Sequence, residues 1–169
     1  MVDDDVSCPN HCCLYCYRPL SQGEAVISDF QKSKILLGDA KDSNLLAQTY
    51  TRSGSSRFVA PELLKADAGP AQFESDVWAF GMTILQVLTG AEPYKPDGLR
   101  ADYQVIAAVH DGITPRRPCG RNQWITDQVW QLMEECWRMD PEKRPDMKRV
   151  YDGLVTAEIA FASRDPIVR

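Results

Sequence analysis

No stretch of this 169-residue chain stays apolar for the ~18 residues that a bilayer-spanning helix needs, so none reads as a membrane span. The opening MVDDDVSC lacks the basic head and long apolar middle of a secretory leader. We therefore expect a cytoplasmic protein with reduced cysteines. Positive charge is also in short supply. Lys and Arg number 19 against 24 Asp and Glu, a net charge of −5 with no basic stripe, which argues against nucleic acid or an anionic membrane as a partner. Composition excludes disorder: 44% of residues are hydrophobic and 25% charged, enough for one core in a chain of single-domain length.

A disulfide framework is missing too. Of the six cysteines, Cys8, Cys12, Cys13 and Cys16 crowd one stretch beside His11, while Cys119 and Cys136 stand alone downstream. That is a local oddity, not a set of staples spread over a fold.

What is present is mostly helical in pattern. Residues 1–22 show no periodicity. EAVISD at 24–29 reads as a short strand, and residues 31–60 as a long exposed polar loop containing TYTRSGSSR. APELL at 60–64 opens a short helix with Pro61 in a tolerated first-turn position. SDVWAFGMTILQVLTG at 75–90 is the clearest element. Ser75 or Asp76 suits its cap and Gly90 its end, and no charge occurs from Val77 to Thr89. A helix apolar nearly all round is expected at the buried centre of a helical domain, here around Phe80. RADYQVIAAVHDG at 100–112 is an amphipathic helix with Tyr103, Ile106, Ala107 and His110 along one side. Thr126 caps a further helix whose inward stripe is Val129, Met133, Cys136 and Trp137. Asp140-Pro141 starts a tight turn, and Asp146 caps a last helix striped by Met147, Val150, Tyr151, Leu154 and Val155.

Four short motifs stand in order: SDF at 28–30, APE at 60–62, SDVWAFG at 75–81 and CWRMDPEKRP at 136–145. Together they resemble the C-terminal lobe of a eukaryotic protein kinase over about residues 24–158. The ECWRMDPEKRP style is similar to that of the tyrosine-kinase-like serine/threonine group. The resemblance implies a mainly α fold: a kinase C-lobe at 24–160 with a small β-hairpin at its front edge and a long activation loop. An irregular segment, 1–23, would precede it and a tail, 161–169, would follow.

The resemblance also implies roles. Asp29 would hold magnesium over the phosphates of ATP, and Phe30 would pack beside it. Gln31 replaces the family's glycine at that turn, where positive φ would cost glutamine roughly 1 kcal/mol. Thr49, Thr51 and Ser53 would be phosphoacceptors of the activation segment, and Ser55 and Ser56 would lie where a peptide substrate is positioned. Glu62 would pair with Arg144. Asp76 would accept backbone hydrogen bonds from the catalytic loop, and Trp78 and Phe80 would fill the core. Yet no HRD or HGD occurs in the sequence, nor a glycine-rich loop with its lysine. Without the loop, Asp76 reads as a helix cap. The expected partners are a protein substrate or another protein. The two readings are an enzyme lobe, incomplete as given, and a pseudokinase or interaction module.

Residues 6–22 have their own explanation. Removing VSCPNHCCLYCYRPLSQ joins the flanks as MVDDDGEAVISDF, a strand, an acidic Gly23 turn and a strand. Val-Ser and the final Gln are encodable by intron borders, so we expect a retained in-frame intron. Transcript reads crossing the segment without a junction would contradict this. The rival is a zinc site built from Cys8, His11, Cys13 and Cys16, although no second ligand pair stands at the usual spacing.

Overall fold

The computed structural model describes residues 56–65, 68, 71–119 and 122–162. The strand expected at 24–29 and its hairpin lie outside them, as does the expected tail, 161–169, except for residues 161 and 162, which end the last helix. The described residues form four α-helices and no strand: α1 (Phe73–Thr89), α2 (Asp102–His110), α3 (Asp127–Cys136) and α4 (Met147–Ala162). Single 3₁₀ turns at Ser56–Phe58, Pro61–Leu64 and Pro141–Lys143 link them.

Local chemistry sets the helix ends. Thr126 Oγ1 accepts the Val129 N–H at 3.2 Å, and Asp146 Oδ1 accepts the Arg149 N–H at 2.7 Å, satisfying otherwise orphaned amides. Pro61 opens its 3₁₀ turn from the first position. α1 begins earlier than its sequence suggests. Gln72, in extended conformation, takes the cap position, so Ser75 and Asp76 fall inside the first turn. Ser75 Oγ reaches back to accept the Gln72 N–H at 3.5 Å. Asp76 is therefore not the cap. Gly90 closes α1 in the left-handed region, φ 68°, with its N–H on Gln86 O.

The core is built on α1. Its Val77, Trp78, Met82 and Leu85 are buried with Met133 and Cys136 of α3, Trp137 at the end of α3 and Val150 of α4. Each such side chain contributes about 2 kcal/mol through water exclusion. The rings of Trp130 and Trp137 meet edge-on, centroids 5.6 Å apart. Burial pushes the Cys136 thiol up to about 12, so it stays a neutral core side chain. Phe80 itself sits half-buried at the rim of this core.

Two helix stripes and the end of one loop are corrected. α2 buries Val105, Ala108 and Val109, and leaves Tyr103, Ala107 and His110 exposed. α2 packs against the turns at 56–58 and 61–64, so tertiary contact decides between two stripes of similar apolarity. In α4, Val150 and Ala157 are buried whereas Met147 and Tyr151 are exposed. The end of the supposed exposed loop is also inside: Ser56, Arg57, Val59 and Ala60 are buried.

α1 meets α3 so closely at Gly81 that a Cβ there would lie 2.7 Å from Trp137 Nε1 and 2.8 Å from Cys136 Cβ. Both are rigid parts of a filled core. Gly81→Ala is expected to destabilise the chain by about 1–3 kcal/mol in urea unfolding. Gly153→Ala is expected to stay within about 1 kcal/mol of wild type, because a Cβ there meets only the flexible end of Leu132 at 3.0 Å.

Candidate functional site

The 3₁₀ turn at Pro61–Leu64 sends Leu63 into a small apolar cluster with Val59 and turns Glu62 toward Arg144. The Arg144 side chain has no exposed surface. Its Nη1 donates to Glu62 Oε1 at 2.8 Å and to Glu74 O at 2.7 Å. Its Nη2 donates to Glu62 Oε2 at 2.7 Å, and its Nε to Arg138 O at 2.8 Å. The guanidinium carbon stands 5.2 Å from the Trp78 ring centroid. Ser75 Oγ donates to Glu62 Oε1 at 2.7 Å. This is a two-pronged carboxylate–guanidinium pair with its remaining bonding capacity largely used. Burial pushes the Glu62 carboxyl up, but the bonds from Arg144 and Ser75 and a backbone N–H outweigh it and hold the group below its ordinary 4.5.

A second arginine fixes the preceding turn. Arg57 is buried, and its Nη1 donates to Pro93 O at 2.8 Å and Leu99 O at 3.0 Å, its Nη2 to Arg100 O at 2.9 Å. Its Nε is 3.4 Å from Glu92 Oε2. One side chain thus gathers the carbonyls of the loop joining α1 to α2. That loop is tightly wound. The buried Tyr94 holds a positive φ of 65°, and its hydroxyl donates to Ile113 O at 3.2 Å. Burial and the nearby Asp97 charge push its phenol well above the ordinary 10. Sequence reading missed Arg57. The available signal was a charge set directly before the apolar run Phe58-Val59-Ala60.

The structure thus brings Glu62 and Arg144 together and places Ser56 inside, its Oγ without a hydrogen-bond partner among the described residues. Asp76 is exposed and no described residue bonds its carboxylate, while crowding by its surroundings pushes that carboxyl above its ordinary 3.8. Asp29, Phe30, Thr49, Thr51, Ser53 and Ser55 lie outside the described residues. Among the described residues no cluster of three or more His, Cys, Asp or Glu could hold a metal ion.

Glu62→Gln leaves the Arg144 charge buried without its counter-ion and is expected to cost about 3–5 kcal/mol in denaturant unfolding. The folded carboxyl lies below 4.5, so the pair's stabilisation is full above that pH and drains away as pH falls through the folded value. Acid titration of the wild type is expected to show this loss, and the Gln variant to lack it. Arg57→Ala leaves three carbonyls without donors and is expected to cost about 2 kcal/mol or more. Hydrogen exchange is expected to speed up together at 57–60 and 92–100 while the α3–α4 contact stays protected.

Comparison with known proteins gives this geometry a family. The model for protein tyrosine and serine/threonine kinases matches residues 13–154, beginning inside the cysteine-rich segment. The chain is 30% identical to mitogen-activated protein kinase kinase 1c of Physcomitrium patens over 125 residues, 73% of this chain and 34% of that protein. It is 36% identical to the proto-oncogene tyrosine-protein kinase ROS of Homo sapiens over 101 residues, 58% of this chain and 4% of that protein. With mitogen-activated protein kinase kinase kinase 7 of Bos taurus it shares 28% identity over 158 residues, 82% of this chain and 25% of that protein. The chain thus spans about a third or less of the length of these relatives. The chain belongs to the protein tyrosine and serine/threonine kinase family.

Proposed function

We propose that these residues form the substrate-side lobe of a cytoplasmic protein kinase. Its parent reaction is ATP- and magnesium-dependent transfer of a phosphoryl group to a protein serine or threonine. The observation that carries this reading is the doubly tied activation segment: Glu62 locked to Arg144 and Arg57 locked to the α1–α2 loop. Phosphoryl transfer asks a protein mainly to position its reactants in line and to neutralise charge. A segment fixed at both turns is suited to holding a protein substrate beside Ser55 and Ser56. The serine/threonine preference rests on the CWRMDPEKRP style, since the relatives include both kinds of kinase. Asp29 and Phe30 would contribute to holding magnesium and ATP. Among the described residues no helix is long and apolar enough to cross a membrane.

The sequence as given holds no HRD and no glycine-rich loop, and has Gln31 beside Phe30. These observations favour a second reading, a pseudokinase or protein-interaction module that keeps the lobe without catalysis. With the acid–base aspartate and the nucleotide cover gone, orders of magnitude of rate enhancement go too. The 169-residue chain is therefore expected to transfer no phosphate from ATP to a generic protein acceptor, and to gain no thermal stability with ATP and magnesium. Transfer above background that Asp29→Ala abolishes would instead place a working centre in this chain. A thermal shift with nucleotide but no transfer would support the module reading with retained binding.

A further inference from the structure

We draw no further inference here: the strongest candidate, the polar groove between α3 and α4 lined by Gln128, Gln131, Leu132 and Gly153, carries nothing, because the charges along it are already paired within the lobe, Arg149 with Glu135 and Lys148 with Asp152, and nothing in the structure shows what covers it.

Discussion

The Arg144 guanidinium has no contact with solvent, and a buried charge is tolerated only when its partners surround it. Its partners come from separate parts of the chain. Glu62 belongs to the segment before α1, the Glu74 carbonyl and Trp78 ring to α1 itself, and the Arg138 carbonyl to the turn after α3. Satisfying one side chain therefore fixes where the segment enters, where α1 starts and how the α3–α4 turn runs. Ser75 shows how tightly these demands are shared. Its hydroxyl donates to Glu62 and accepts from Gln72, so one atom both completes the ion pair and caps the helix. This is the physical reason α1 begins at Phe73. Starting it at Ser75 or Asp76 would take that hydroxyl away from one of its two tasks.

The two buried arginines solve different problems. Arg144 meets a carboxylate, so its contribution depends on Glu62 staying ionised and answers to pH. Arg57 is satisfied chiefly by three backbone carbonyls, which do not titrate, with Glu92 as a longer fourth contact. The planar fork of arginine suits both arrangements, and a lysine with one charged nitrogen would suit neither. Around Arg57 the chain accepts a positive φ at Tyr94, a conformation that costs free energy. The gathered carbonyls, the buried phenol and its bond to Ile113 offset that cost. The result is one rigid unit made of the segment end and the α1–α2 loop, held from below by Arg144.

What was legible in the sequence follows from how local each signal is. Caps such as Thr126 and Asp146 act within three residues, and they were readable. The meeting of Glu62 with Arg144 spans the whole lobe and was readable only because both lie in motifs. The inward face of α2 was not readable. Tyr103, Ile106 and Ala107 form as apolar a stripe as Val105, Ala108 and Val109, and only the contact with the turns before α1 breaks the tie. Arg57 was missed for a related reason. A charge in a polar stretch is assigned to solvent, and nothing within a few residues announces carbonyls arriving from 36 to 43 positions away.

The centre of the fold also explains how α1 is turned about its own axis. α1 must receive Trp137 and Cys136 closely, which Gly81 permits, and must offer Trp78 to Arg144. Those contacts consume one broad arc of its surface and set its rotation about its own axis. The rotation then determines which residues are left over. Asp76 falls on the remaining edge between Phe73 and Phe80, away from any described partner, and its carboxyl is pushed upward by crowding with no bond to offset it. One set of contacts thus fixes both the seating of the turn before α1 and the rotation of the helix itself.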